Sequence, residues 1–157
     1  MTSLLPIAKR FGSYLTLIER LRWAVTAQLL CDREFFISFR YPTTDEEYTL
    51  HHVDRDAELM TVCSALLDVP VAPHERRATN EILARINDHP LASVSYLRAA
   101  EPPRLVGRAQ TLCLRPEDAE AALLRCCRSL ASVSRAYRFE QARARADAWL
   151  FFAAPDA

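Results

Sequence analysis

Two stretches in the first half of the chain alternate apolar and polar residues with a period of two. The first begins at Glu34 and places on one side Phe35, Ile37, Phe39 and Tyr41. The second places on one side Tyr48, Leu50 and His52. Successive side chains of a strand point to opposite sides, so this period is typical of a β-strand with one buried face. The turn-forming residues 42–45 between the stretches predict an antiparallel pair.

A third apolar run follows a short polar turn at 54–56. Residues Glu58 to Leu67 are more continuously apolar than the first two runs. A continuous apolar run is typical of a strand covered on both faces, so we expect this strand to be central. The three runs together predict an antiparallel meander.

The segment before the meander has two interpretations. Helical spacing favours a helix that opens near Ser13 and uses Leu17, Ile18, Leu21, Val25 and Leu29. The alternation of Trp23, Val25 and Ala27 with more polar neighbours fits a strand. We predict a helix through Arg22 and leave residues 23–30 undecided between helix and strand.

The second half of the chain predicts a helix, two strands and a long helix. The helix Pro73 to Asn87 has its apolar stripe at Ala78, Ile82, Leu83 and Ile86. The runs Leu91 to Ala99 and Arg104 to Leu114 predict a hairpin connected at 100–103. Pro116 suits the first position of the last helix, and the acidic residues after it are stabilising near the positive end of the helix dipole. The buried face of that helix is predicted at Ala119, Ala122, Leu123, Cys126, Leu130, Val133 and Tyr137.

This order predicts an α+β protein. The antiparallel sheet has helices packed on it, in the order α-β-β-β-α-β-β-α. We expect one domain over residues 1–157, with its core at 13–137 and a helical extension at 138–152.

The composition fits a packed intracellular protein. Half of the residues are apolar and the formal net charge is zero, so no overall field draws the chain to nucleic acid or to membrane. The first residues lack a secretory pattern, and no stretch approaches the roughly 20 apolar residues that span a bilayer. The five cysteines lie in apolar stretches, which is typical of reduced thiols. We expect a cytoplasmic protein.

Residue types that carry catalysis are present without the spacing that catalysis needs. His51 and His52 are neighbours on a predicted strand and point to opposite faces, so they cannot hold one metal ion together. Two isolated glycines cannot form a phosphate-binding loop. No metal-binding or nucleophile motif is present, and the clustered carboxylates fall in turns, where solvent accounts for them. We predict a protein that is not an enzyme and uses no cofactor.

The last helix carries many arginines. A basic helix can follow phosphates. However, arginines toward the end of a helix also suit its dipole, and no aromatic side chains are interleaved for base stacking. The candidates for nucleic-acid contact are Arg128, Arg135, Arg138, Arg143 and Arg145.

Several motifs resemble the YbjN family. They are the stretch 66–73 (LLDVPVAP), the helical segment 82–87 (ILARIN) and the strand pair Val94–Leu97 and Leu105–Leu114. Members of that family are similar in fold to type III secretion chaperones, with a helix, three strands, a helix, two strands and a helix. The resemblance covers residues 13–137.

The resemblance implies a two-fold dimer that captures an extended, apolar segment of another protein. One face of the sheet must serve the core, so the other face or an edge is left for a partner. Phe36 lies opposite the main apolar stripe and beside Arg40 makes an aromatic-plus-arginine anchor, unless the first helix covers it. On the last helix, Leu124 and Cys127 widen the apolar face. The candidate partner-binding residues are Phe36, Arg40, Tyr41, Tyr48, Leu124 and Cys127.

Three functions follow from these observations. The leading expectation is a chaperone-like or adaptor protein, a homodimer that binds another protein. The alternative is a nucleic-acid-binding accessory protein that uses the arginines of the last helix. A weaker third option is an enzyme whose catalytic residues are scattered and leave no motif.

Overall fold

The computed structural model describes the backbone of residues 7–56, 58–65, 71–88, 91–97 and 103–153, and their side chains apart from 56, 65 and 149–153. In this part of the chain the helices are α1 (Ile7–Arg20), α2 (Arg76–Ile86) and α3 (Ala119–Ala153). The strands are β1 (Val25–Leu30), β2 (Glu34–Tyr41), β3 (Glu46–Val53), β4 (Leu59–Ala65), β5 (Ala92–Leu97) and β6 (Arg104–Leu112). Short 3₁₀ turns are found at Asp54–Asp56, Pro73–Glu75 and Pro116–Asp118.

The six strands form one antiparallel sheet in the order β1-β2-β3-β4-β6-β5. The meander therefore runs from β1 to β4, and the β5–β6 hairpin joins it through β6. The predicted α+β class with an antiparallel sheet is confirmed. β4 lies inside the sheet, as its continuous apolar run predicts, and β1 and β5 are the edge strands.

The helices pack on one side of this sheet. α1 lies over β1 and β2, where the rings of Phe11 and Tyr14 approach Phe35 with centroid distances of 5.6 and 5.8 Å. α3 lies over β4, β5 and β6, and α2 packs against α3 and β5. This side of the sheet holds the core. Burying one large apolar side chain there stabilises the fold by about 1.5–3 kcal/mol. The sheet contributes Phe35, Ile37, Phe39, Tyr41, Tyr48, Leu50, Met60 and Val62, and α3 contributes Ala122, Leu123, Cys126, Leu130, Val133 and Tyr137.

The undecided segment at 23–30 contains a strand. β1 begins at Val25 and pairs with β2, with Leu29 opposite Phe36. The described sheet therefore has one strand more than the predicted order, and α1 is shorter at its end than the predicted helix. β1 extends the sheet beyond β2 and is one of its two edge strands.

The end of α1 explains why the helical spacing does not continue. Arg22 has a positive φ of 57°. The N–H of Arg22 donates to the carbonyl of Glu19, and the N–H of Trp23 donates to the carbonyl of Ile18. This pair of bonds is the Schellman arrangement, which ends a helix and redirects the chain. Glycine is the usual residue at the positive-φ position, so an arginine there leaves no sequence signal.

Several boundaries differ from prediction. α1 begins at Ile7, well before Ser13. The buried stripe of α2 contains Thr79, while Ala78 is exposed. Thr79 has the correct spacing to Ile82, Leu83 and Ile86, and Ala78 is one position off. β6 ends at Leu112 rather than at 114. Residues 66–67 of the predicted third strand and 98–102 around the predicted hairpin turn lie outside the described residues.

α3 is the longest element. It has 35 residues, which corresponds to about 52 Å at 1.5 Å per residue. Its first half carries the core stripe, and the predicted extension at 138–152 continues as helix to Ala153. The terminus Trp149 to Phe152 is helical, and its side chains lie outside the described part. None of the described helices is both long and apolar enough to cross a membrane.

Candidate protein-binding surface

The side of the sheet opposite the core carries no described helix, and we call it the open face. Side chains of directly opposed residues point to the same side of a sheet, so the register defines rows across it. The first row consists of Leu29, Phe36, His51, Thr61 and Gln110. The second row consists of Ala27, Ser38, Thr49, Cys63, Arg108 and Ser93. Solvated sheet faces are mainly polar, so the apolar members of the first row stand out.

An aromatic pair lies in the first row. The rings of Phe36 and His51 stack with centroids 4.3 Å apart and planes 7° from parallel. Nε2 of His51 lies 2.9 Å from a carboxylate oxygen of Glu34, which holds the imidazole in its orientation. Leu29, opposite Phe36 on β1, is 55% exposed. Phe36 and His51 are half-buried, so exposed Leu29 and the two stacked rings form a surface cluster with one side accessible, which we call the platform.

Polar pairs flank this platform. The hydroxyls of Ser38 and Thr49 are 2.8 Å apart in the second row. The amide nitrogen of Gln110 donates to the hydroxyl of Thr61 at 3.0 Å. These groups satisfy each other, so a partner that covers them loses little hydrogen bonding to water.

Arg40 is on the open face but does not lie over Phe36. Its guanidinium donates to the carbonyl oxygen of Asp45 at 2.9 Å and lies 3.5 Å from the Asp45 carboxylate. Phe36 is four residues away on the same strand, a separation of about 13 Å. The two predicted anchor residues therefore share a face but belong to separate parts of it.

The other predicted partner-binding residues lie on the core side. Tyr41 and Tyr48 are buried and stack with centroids 5.1 Å apart. Burial raises the pKa of Tyr48 to about 12. Cys127 is fully buried and Leu124 is half-buried on α3. The buried three have no surface for a partner in this structure, because their side of the sheet is filled by the helices.

The two edges of the sheet are protected to different degrees. Asn87, directly after α2, forms two hydrogen bonds with the backbone of Val94 on β5, to its N–H at 2.7 Å and to its carbonyl at 2.8 Å. The amide side chain thus takes the place of a neighbouring strand. No such contact is formed along β1 by any described residue, and residues 26–30 are exposed. The motif 82–87 ends at Asn87, and the sequence does not reveal that this residue caps an edge, because the pairing depends on the tertiary fold.

Two of the five predicted nucleic-acid arginines are engaged in ion pairs. Arg138 pairs with Glu46 at the start of β3. Arg145 lies 3.7 Å from the carboxylate of Glu75. These pairs attach the second half of α3 to the body of the protein.

The other three arginines face solvent. Within the described residues, Arg128, Arg135 and Arg143 have no acidic partner. Their spacing places them within about 80° around the helix axis. Phe139, 67% exposed, lies on the same face between Arg135 and Arg143. The expectation that no aromatic side chain is interleaved with the arginines is therefore wrong at this position.

Burial disfavours the thiolate form of two of the cysteines. Burial raises the pKa of Cys126 to about 12. On the open face, burial raises the pKa of Cys63, and the nearby Arg108 only partly opposes this rise. A thiol with a raised pKa stays protonated at neutral pH and reacts poorly. Among the described residues, no group of three His, Cys, Asp or Glu is placed to hold a metal ion.

The described residues thus define an α+β protein with a six-stranded antiparallel sheet, covered by helices on one side and open on the other. YbjN from E. coli, described as a suggested transcription regulator, has a similar structure, with a TM-score of 0.61, 12% sequence identity, and coverage of 85% of this chain and 92% of YbjN. An uncharacterized protein from Methanothermobacter thermautotrophicus has a TM-score of 0.52 and 8% identity, over 81% of this chain and 95% of that one. No family model matches the sequence, and no curated protein matches it significantly. The predicted YbjN-like fold is confirmed, and this likeness concerns the fold alone.

Proposed function

We propose that this protein is a non-catalytic adaptor or chaperone-like protein. It binds a partner protein through the open face and acts as a cytoplasmic homodimer without metal or nucleotide. The observation that carries the proposal is the platform, in which exposed Leu29 lies beside the stacked rings of Phe36 and His51 on the side of the sheet that no described helix covers.

The platform has the physical make-up of a small protein interface. A central apolar patch supplies the binding energy, and a rim of satisfied polar pairs excludes water. Here Phe36 is the anchor, and the Ser38–Thr49 and Thr61–Gln110 pairs form the rim. A partner segment in extended conformation presents alternate side chains to a pleated surface, which fits the two rows of the open face. The likeness in fold to YbjN, a suggested regulator, is in keeping with an adaptor.

Affinity capture from the native lysate tests this proposal. Tagged protein is incubated at low and at high salt, with and without nuclease, and the retained proteins are identified by mass spectrometry. Apolar capture depends weakly on salt, so the proposal predicts one partner retained under all four conditions. Retained material that disappears with nuclease would contradict it.

The exposed face of α3 supports a second candidate, binding of nucleic acid. Arg128, Arg135 and Arg143 supply positive charge that no described acid pairs, and Phe139 supplies a ring on which a base can stack. Three phosphate contacts give an affinity that falls steeply with salt, with a log–log slope of about −2 to −3. Titration of a fluorescent single-stranded oligonucleotide at several salt concentrations measures this slope directly.

A further inference from the structure

β1 has the properties of a strand that pairs with another strand. Exposed edges in monomeric proteins usually carry charges, prolines or covering groups that block pairing. β1 has the sequence VTAQLL, with no charge and no proline, and it exposes Leu29 by 55% and Leu30 by 43%. The other edge, β5, is capped by Asn87. Among the described residues, one edge is therefore blocked, while the regular part of the other, residues 27–30 beyond the β-bulge between Val25 and Ala27, is uncovered.

The ladder between β1 and β2 determines which backbone groups are available. The N–H of Cys31 donates to the carbonyl of Glu34 at 2.8 Å, and from this bond the pairing continues through Leu29 and Phe36. In an antiparallel pair, residues alternate between bonding to the partner strand and pointing away from it. Gln28 and Leu30 therefore direct their N–H and C=O groups away from β2.

We infer that β1 is the dimer interface, and that two copies of this chain pair β1 against β1 in antiparallel orientation about a two-fold axis at Leu29. This inference rests on the homodimer of the proposed function and specifies its geometry. Gln28 of each copy lies opposite Leu30 of the second copy, and each such pair exchanges two backbone hydrogen bonds. Leu29 lies beside Leu29 of the second copy, so the contact on the axis is apolar and neutral.

This pairing joins the two sheets into one continuous sheet. Residues directly opposite each other point to the same side, so the open faces of both copies lie on the same side. The platform of Leu29, Phe36 and His51 then continues across the axis into its copy. A partner segment that crosses the axis contacts twice the apolar surface that one chain offers, which links the dimer to partner capture.

Sedimentation equilibrium of the full chain tests the interface. We expect a dimer for the wild type and for Leu97→Lys. For Leu29→Lys we expect a dissociation constant at least about tenfold higher, because the lysines of the two copies lie side by side on the axis and repel each other. Leu97 is the matched control, because it is an exposed leucine on the open face of the other edge strand. Circular dichroism verifies that each variant is folded. A monomeric wild type at 100 μM, or equal weakening by both lysines, would overturn the inference.

Two further variants keep the test independent of any folding defect. Gln28→Pro removes an outward N–H without removing a bond to β2, so it weakens the dimer while leaving the far-ultraviolet circular dichroism spectrum unchanged. Leu29→Cys in a Cys31→Ser background forms a symmetric disulfide on mild oxidation, because a non-hydrogen-bonded antiparallel pair brings the two Cβ atoms close. A dimer that persists with Gln28→Pro and does not cross-link through Leu29→Cys has another interface. A wild type that is a dimer with this interface but captures no partner protein would sink the proposed function instead, so the two failures are distinguishable.

Discussion

Phe36 stacks on His51 across β2 and β3 on the open face, with ring centroids 4.3 Å apart. One residue along each strand, Phe35 stacks on His52 at 5.0 Å on the core side. The same two residue types are thus paired in register on both sides of the sheet. Their surroundings differ, because α1 covers Phe35 and no described helix covers Phe36.

The first prediction uses this difference. Phe35→Ala is expected to lower the free energy of unfolding by about 3–5 kcal/mol, since it leaves a cavity in the core. Phe36→Ala removes one stacked pair on an accessible surface and is expected to cost only about 1–2 kcal/mol. Urea unfolding followed by circular dichroism measures both. Equal losses for the two variants would show that Phe36 is covered as deeply as Phe35.

The second prediction concerns the end of α1. Arg22 adopts φ of 57°, and a non-glycine residue in this conformation costs about 1–2 kcal/mol. Arg22→Gly is therefore expected to raise the free energy of unfolding by about 0.5–1 kcal/mol, after the higher entropy of glycine in the unfolded chain is deducted. Thermal and urea unfolding measure the change. Arg22→Ala keeps the strain and serves as the control, and a gain of equal size in both variants would refute the explanation.

The local sequence pattern was sufficient to predict most helices and strands, but not the end of α1 and the start of β1. The alternation in β2 and β3 and the stripe of α3 follow from periods of two and 3.6, which depend only on neighbouring residues. The change from α1 to β1 depends on Arg22 in a conformation that sequence assigns to glycine. Both periods are present between Trp23 and Leu30. In the structure Trp23 stacks on Phe39 with ring centroids 5.2 Å apart, and Val25–Leu30 pairs with β2, contacts that the local pattern does not reveal.

The third prediction tests the cap on β5. Asn87→Ala removes two hydrogen bonds to the backbone of Val94 and is expected to cost about 1–3 kcal/mol. It also uncovers the second edge strand, so we expect association beyond the proposed dimer at high concentration. Asn80→Ala is the control, because Asn80 accepts a single exposed bond from Tyr96. Urea unfolding measures the loss of stability, and light scattering measures the mass of the assembly. An Asn87→Ala variant with the same stability and the same mass as the control would contradict the proposed cap.

The fourth prediction is a loss of stability in alkali. Burial raises the pKa of Cys126 from 9.0 to about 12 and that of Tyr48 from 10.0 to about 12. The folded protein keeps protons that the unfolded chain releases, so the contribution of these groups is complete below pH 9. It falls as the pH rises toward 12, by at most about 1.4 kcal/mol per pH unit for each group.

Variants separate this effect from general alkaline damage. Cys126→Ala removes one titrating group, so the free energy of unfolding should fall less steeply above pH 9 than in the wild type. Cys31→Ala, at an exposed position, should keep the slope of the wild type. Urea unfolding between about pH 8 and 11 measures the slopes. A wild type whose stability stays constant over this range would contradict the assignment.

The candidate site was predictable only in part. Alternation alone places Phe36 and Arg40 on the side opposite the core stripe, and the structure has them there. The same alternation puts Tyr41 and Tyr48 in the apolar stripe, and the structure buries both there. Which arginines of α3 form ion pairs and which face solvent also depends on the tertiary fold, since Glu46 is distant in sequence from its partner Arg138.

The central claim is that the open face, and not α3, binds the partner. The most direct measurement is quantitative capture from the native lysate by four proteins in parallel: wild type, Phe36→Ala, Ser93→Ala, and the triple variant Arg128→Ala/Arg135→Ala/Arg143→Ala. Ser93 is an exposed open-face residue away from the platform, so its variant controls for tagging and handling. We predict that Phe36→Ala loses at least about tenfold of the captured partner, equal to about 1.4 kcal/mol, while the other two variants retain it. Full retention by Phe36→Ala together with loss by the triple arginine variant would contradict the account and assign the interaction to α3.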